Sequence, residues 1–377
     1  MELSSEDVFR LNVLLANPVK AIRINESTLT LHALTEDGEA KVPLNPNCRE
    51  DRYLRLVREL LSGHVMGSPG GYPVYLTRWT RMGQSRGENL EQLLLLGESE
   101  ALVAVVCAPD ITDEIASRAW WVEATSDNAR RMLCAEAVIK GDMGQVLADH
   151  LAEHLAFENE PQVMIDTVSL ILQPGLLPEE TIAKVWEKAK KKPIYQVGFL
   201  KTLPDNLPES NVAHAQYTDY QDKLAALSQA GNPVAKMLLR VMSASGQSVL
   251  TITEAVLKKP NNQDVMNDLF DTLRFYFSVM QPETYSRTRE PDLEAIIADV
   301  SAVIEAGEVE SVQAVLDVAP ELKEYVTVMM QFSLFSYGVL RPIFSKTTAI
   351  GTLMRKKLLP VTDVVFAQLA TLKAPIA

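Results

Sequence analysis

Ser62-Gly-His-Val-Met-Gly-Ser-Pro-Gly-Gly-Tyr-Pro-Val-Tyr-Leu-Thr-Arg-Trp-Thr-Arg81 gathers glycine and proline in a chain that is otherwise helical by pattern. Before it, short segments alternate apolar and polar side chains; after it, one amphipathic helical pattern follows another almost to the C-terminus. Gly67, Gly70 and Gly71 raise the question of a phosphate loop. Such a loop needs a lysine and a hydroxyl after its last glycine, and Tyr72-Pro73 stands there instead. The stretch therefore reads as a Gly/Pro hinge between a small head and a helical body.

Working back toward the N-terminus, Ser4-Ser-Glu-Asp7 supplies a cap and acidic first-turn residues for a short helix. Ala21–Ile24, Thr28–Leu34 and Ala40–Leu44 have the two-residue period of strands, with turn sequences at Asn25-Glu-Ser27 and Glu36-Asp-Gly38. A small antiparallel meander is expected, and it needs another surface to cover it. A helix follows, with Asn47 or Cys48 near its cap. Its apolar arc is Tyr53, Leu54, Leu56, Val57, Leu60 and Leu61, its solvated face Arg52, Arg55 and Arg58, and Ser62-Gly63 is its stop.

Working forward, helices are expected at 112–121, 128–134, 143–157 and 161–172, and from Pro178 to the lysine-rich end stopped by Pro193. Others fall at 219–230, 233–243, 251–258, 264–280, 292–306, 310–318, 320–337, 352–358 and 361–372. Glu114-Ile-Ala-Ser-Arg-Ala-Trp120 echoes Glu180-Thr-Ile-Ala-Lys-Val-Trp186, with irregular spacing elsewhere. The expected fold is mainly α: an irregular α-solenoid or HEAT-like helical array with a small N-terminal β meander. The expected domains are 1–75, a head ending in the hinge; 76–203, helical repeats; and 209–377, a C-terminal helical domain. Two prolines in Leu203-Pro-Asp-Asn-Leu-Pro208 mark the last boundary.

Composition narrows the class of partner. The 377 residues hold 36 basic and 49 acidic side chains, a net charge of −13, which disfavours nucleic acid or an anionic membrane as the principal partner. Three cysteines, Cys48, Cys107 and Cys134, build neither a disulfide framework nor a zinc ribbon, as suits a reducing compartment. The N-terminus lacks the basic and apolar regions of a secretory signal, so a cytoplasmic location is expected. The uncharged run Tyr325–Leu340 is too short to span a bilayer and reads as a buried core helix.

Few residues carry recognisable chemistry. His150 and His154 share a helix face at metal-ligand spacing and fall in the apolar arc of Val146, Leu147, Leu151 and Leu155. Packing against the next helix is the preferred reading and a metal site the weaker one, because Glu153 is misplaced for the metalloprotease pattern. Cys48 precedes Arg49 near a helix start, where dipole and cation favour a thiolate; a capping or half-buried cysteine is the simpler reading. Cys107 and Cys134 read as core. Residues 46–88 hold seven arginines against four acids, ending in Arg78, Trp79, Arg81 and Arg86. That basic, aromatic edge is a candidate docking patch for an acidic partner, or simply solvated arginine beside a buried tryptophan. No cofactor is implied.

At the level of whole phrases the chain resembles the DsrS family. The phrases are Glu59–Tyr75, Leu93-Leu-Leu-Leu-Gly-Glu98, Arg118-Ala-Trp-Trp121, Asn128-Ala-Arg-Arg-Met-Leu133 and Leu172-Gln-Pro-Gly-Leu176. The resemblance implies a cytoplasmic protein accompanying reverse sulfite reductase and its sulfur-relay proteins in sulfur-oxidising bacteria. It supplies no catalytic residues. The expected function is a non-catalytic helical-repeat protein that binds or supports these sulfur-oxidation proteins. The alternative is a sulfur carrier or sulfurtransferase-like protein using Cys48 as a persulfide site.

Overall fold

Ser4 Oγ accepts the N–H of Asp7 at 3.1 Å and opens α1, Ser5–Leu15. This element and those that follow belong to a computed structural model that describes residues 2–66, 90–260, 262–282 and 291–376. The protein is mainly helical with one three-stranded antiparallel sheet near the N-terminus. It divides into two compact units, 1–154 with 173–177 and 155–172 with 178–377.

In the first unit, β1 (Val19–Asn25), β2 (Thr30–Thr35) and β3 (Gly38–Pro43) pair in the order β1-β2-β3. Asn25 Oδ1 accepts the N–H of Thr28 at 3.0 Å in the first turn, and Leu29 leaves it with φ 48°, a conformation rare outside glycine. Ile22 faces Ala33 and Ala40 across the sheet, and Ile24 faces Leu31 and Val42. Because side chains alternate, Arg23, His32 and Lys41 form a row on the opposite face. The apolar face packs with Leu11 and Leu14 of α1 and with Tyr53, Val57 and Leu61 of α2, Glu50–Met66. The meander thus finds the cover that three strands need.

The second helix corrects two expectations. It runs through Ser62 and Gly63 to Met66, since one helical glycine costs only about 1 kcal/mol. Arg58 does not lie on a wholly solvated face: it is largely buried and bridges Glu26 at 2.6 Å and Glu98 at 3.0 Å.

Among the described residues the first unit has six further helices: α3 (Leu90–Leu93), α4 (Ser99–Val106), α5 (Asp113–Val122), α6 (Ser126–Met132), α7 (Glu136–Ile139) and α8 (Asp142–His154). Thr112 Oγ1 caps α5 and Thr125 Oγ1 caps α6. Asp113 fixes α8 against α5 by accepting the N–H groups of Asp142 and Met143 at 3.2 and 3.0 Å. A Cβ on Gly141 would lie 2.1 Å from the Asp113 side chain, so the close approach needs glycine.

The second unit holds α9 (Pro161–Ile171), α10 (Glu179–Lys191), α11 (Pro193–Thr202), α12 (Tyr217–Lys223), α13 (Ala225–Gln229), α14 (Pro233–Met242) and α15 (Ala244–Lys258). It continues with α16 (Gln263–Tyr276), α17 (Leu293–Ala306), α18 (Glu310–Val318), α19 (Lys323–Phe332), α20 (Tyr337–Phe344) and α21 (Gly351–Thr371). Pro193 both ends α10 and opens α11, since a proline is tolerated in the first turn. Every residue from Ile194 to Leu200 is buried, and α11 packs on α9, α10, α15 and α16 as the centre of this unit. Phe332 meets Phe277 at 5.3 Å and Phe335 at 5.1 Å between ring centroids, forming an aromatic layer.

Leu203–Pro208, expected as a domain boundary, lies inside this unit, where Asp205 forms a two-pronged ion pair with Arg240 at 2.7 and 2.8 Å. The expected boundary at 75/76 lies outside the described residues. Several helix expectations change as well. The run 320–337 breaks at Ser333–Phe335, between α19 and α20. Segments 352–358 and 361–372 are one helix, because Pro360 sits on its solvent face. α15 begins seven residues before the expected Thr251, capped by Ser243, whose Oγ accepts the N–H of Gly246 at 3.2 Å. Among the described residues no helix is long and apolar enough to cross a membrane.

Candidate functional site

Arg78, Trp79, Arg81 and Arg86 lie outside the described residues. Cys48 lies two residues before α2 and packs, half-buried, against the apolar core of the first unit. Cys107 and Cys134 are exposed, not core. Each stands just past the end of a short helix, and Cys107 Sγ receives Arg131 Nη1 at 2.9 Å.

His150 and His154 stack with ring centroids 4.0 Å apart and planes 23° from parallel. The buried stripe of α8 is Met143, Leu147, Ala148, Leu151 and Ala152; His150 borders it and His154 is exposed, as is Val146. The pair therefore lies at the margin of the apolar arc, not within it. His154 Nδ1 donates to His150 O at 2.8 Å, which ties that nitrogen to the helix. Among the described residues no group of three or more His, Cys, Asp or Glu is placed to hold a metal.

What the fold does bring together is an edge of β1, α5 and α8. On α5, Trp120 and Trp121 are both half-buried. The Arg23 guanidinium lies over the Trp121 ring, 4.6 Å from its centroid, and Arg23 Nη1 donates to Trp121 O at 3.2 Å. Its other arm meets Glu39 at 3.2 Å, and His32 Nδ1 contacts the same carboxylate at 2.6 Å. Trp120 meets His150 edge-on at 4.9 Å, with an interplanar angle of 79°. His150 Nε2 also lies 3.3 Å from Ser126 Oγ. Each indole ring thus touches a partner from a neighbouring element: Trp121 the Arg23 guanidinium, itself paired with Glu39, and Trp120 the His150 imidazole.

The electrostatics follow from these contacts. The His32 hydrogen bond, aided by Arg23, His32 and Lys41, holds the Glu39 carboxyl below the usual range. Burial pushes the His150 imidazole down, and His154 pushes it further, so the ring is favoured in its neutral form. A neutral imidazole, stacked on His154 and edge-on to Trp120, makes an amphipathic surface.

The sequence signal for this edge is the Trp-Trp pair at the end of α5 together with the two histidines four residues apart on α8. The sheet register that brings Arg23 over Trp121, and the Asp113 cap that sets α8, are long-range features without a local signature. No protein family, curated protein or solved structure matches the chain.

Proposed function

We propose that this protein is a non-catalytic helical binding protein of cytoplasmic sulfur oxidation, with helices in an irregular, solenoid-like array. It docks sulfite reductase or its sulfur-relay proteins through the Trp120/Trp121 edge. The observation that carries the reading is the indole pair: Trp121 under Arg23 and Trp120 against His150. Aromatic rings and arginine held in one conformation are the groups that concentrate binding energy at protein interfaces, because little ordering cost remains. Arg118-Ala-Trp-Trp121 is also one of the phrases that carry the DsrS-family resemblance. The test is binding of the full chain to purified sulfite reductase and sulfur-relay proteins by interferometry. Trp120→Ala should weaken the complex by roughly tenfold or more with the melting profile retained. Absence of binding by the wild-type chain to all of these proteins overturns the proposal.

A second reading, in which the chain carries sulfur on a thiol, is favoured at Cys107 over Cys48. Cys107 is exposed and touches the Arg131 guanidinium, whereas Cys48 is packed on the core. A Cys107 thiolate attacking the outer sulfur of a persulfide donor would gain that sulfur and release the donor as a thiolate. Mass spectrometry after exposure to such a donor should find the added sulfur on Cys107 and not in Cys107→Ser. An unmodified Cys107 removes this reading.

A further inference from the structure

From Glu324 to Asp363 the chain has no acidic residue between those two, yet it carries Arg341, Lys346, Arg355, Lys356 and Lys357. In a protein of net charge −13 this is a pronounced segregation of charge. None of the five makes an ion pair among the described residues; Arg355 Nη2 only donates to Thr352 Oγ1 at 2.8 Å. Elsewhere on the surface most cations have a carboxylate within 4 Å, as Arg118, Arg240 and Lys373 do. The same segment exposes large apolar side chains: Ile350 at 71%, Leu353 at 58% and Leu359 at 49%.

Helical geometry places Leu353, Lys356 and Leu359 together. Met354, Leu358, Val361 and Val365 are buried and define the inner face of α21. At 100° per residue the outward direction is centred on Lys356, with Leu353 and Leu359 about 60° to either side. On the same count Lys357, also exposed, lies about 40° beyond Leu353 on the flank away from Leu359, and Ile350 is the exposed residue that precedes the helix. Pro360, also exposed, cannot donate to the Lys356 carbonyl four residues earlier, so that acceptor faces outward without its helical bond.

We infer that the loop after α20 and the first half of α21 form a docking face for an acidic segment of another protein, with aliphatic or aromatic anchors between its carboxylates. Lys346, Lys356 and Lys357 meet the carboxylates, and Ile350, Leu353 and Leu359 receive the anchors. Complementary charge fixes the sign of the partner. Unpaired, solvated lysines give up no intramolecular partner on binding, and leucines already in water gain from being covered. The net negative charge of the chain selects a segment over an anionic bilayer. A bilayer extends far beyond the patch and meets the repulsive field of the whole molecule, whereas a peptide lies within about one Debye length, roughly 8–10 Å, of the lysines. This inference does not depend on the Trp120/Trp121 edge or on sulfur oxidation.

The experiment is selection from a displayed random-peptide library against the intact protein, followed by affinity measurement of the enriched peptides. Enriched sequences should interleave Asp or Glu with Leu, Ile or Phe, and their binding should weaken as salt is raised. Lys356→Glu combined with Lys357→Glu should weaken binding by at least about tenfold, and Leu353→Ser should weaken it too, with unchanged helical circular dichroism. Replacing the peptide's acids by amides should reproduce that loss without altering the protein. Selection without acidic enrichment, equal binding by the double variant, or no binder at all overturns the inference. Sedimentation with phosphatidylglycerol vesicles in place of peptide binding assigns the face to a membrane and also overturns it.

Discussion

The Tyr53 hydroxyl donates to Asp7 Oδ2 at 2.8 Å, joining the second helix to the first turn of α1 beneath the sheet. Asp7 is 1% exposed and Tyr53 fully buried, so neither group can turn to water. Asn45 completes the arrangement, its Nδ2 reaching Asp7 Oδ1 at 3.4 Å and its N–H reaching the phenol oxygen at 3.2 Å. Burial, and then the Asp7 contact, raise the Tyr53 phenol well above its usual range, so it remains a donor. Tyr53→Phe leaves a buried carboxyl oxygen without its donor. The expected loss is about 1–3 kcal/mol in urea unfolding, with the second unit unaffected in hydrogen exchange.

The stacked histidines make the first unit sensitive to acid. His150 titrates lower in the folded protein than in the unfolded chain, because burial and His154 disfavour its charge. The unfolded chain therefore binds the extra proton first. Stability attributable to this ring is present above the unfolded imidazole range, about pH 6.5, and is lost as pH falls below it toward the folded value. His150→Gln should flatten the decline in unfolding free energy between about pH 7.5 and 5.5. An unchanged slope would remove His150 as the origin of that sensitivity.

Local chemistry made much of this fold legible. Strand alternation around Ile22, Leu31 and Val42 specified the meander, and Ser4, Thr112 and the lysine-rich end of α10 marked helix termini. Prolines misled in both directions. Pro360 looks like a break but lies on a solvent face, where a helix tolerates a missing donor; Pro193 looks like an end but also begins the next helix. The start of α15 was hidden because Ser245, Gly246, Gln247 and Ser248 lack an apolar stripe. The burial of Gly246, Gln247 and Ser248 comes from tertiary contact, with Gln247 Nε2 donating to Leu372 O at 3.2 Å. The candidate edge was half legible: its indoles and imidazoles stand out in the sequence, but Arg23 reaches Trp121 across 98 positions.

Gly198 sits where α11 packs closely on α9. A Cβ there would lie 2.6 Å from Val168 Cγ1, 2.7 Å from Val168 Cβ and 3.1 Å from Ile165 O. A β-branched side chain and a helix carbonyl cannot both retreat, so the helices must separate. Gly198→Ala should destabilise the second unit by about 1–3 kcal/mol despite the better helix propensity of alanine. Gly198→Ala with Val168→Ala should recover part of the loss, a coupling that a double-mutant cycle reads directly. Additive effects in that cycle would place the strain elsewhere.

Side chains fasten the segment after α21 to the rest of its unit. His214 Nε2 lies 2.9 Å and Tyr325 Oη 2.5 Å from Ala374 O, while His214 Nδ1 accepts the Gln216 N–H at 3.3 Å. That last bond assigns the ring proton to Nε2, which makes it the donor to Ala374. Gln216 then clasps Ile376 reciprocally, donating to its carbonyl at 3.0 Å and accepting its N–H at 2.7 Å. Lys373 anchors the approach through Glu254 at 2.6 Å. Gln216→Leu removes both bonds to Ile376 but leaves the His214 and Tyr325 contacts. At about 0.5–1.5 kcal/mol per bond, the clasp should loosen by roughly 1–3 kcal/mol. Hydrogen exchange should accelerate at Ile376 before it does at Leu372, because Gln247 still holds the Leu372 carbonyl. Uniform acceleration through α21 would instead mean that the clasp supports the whole helix.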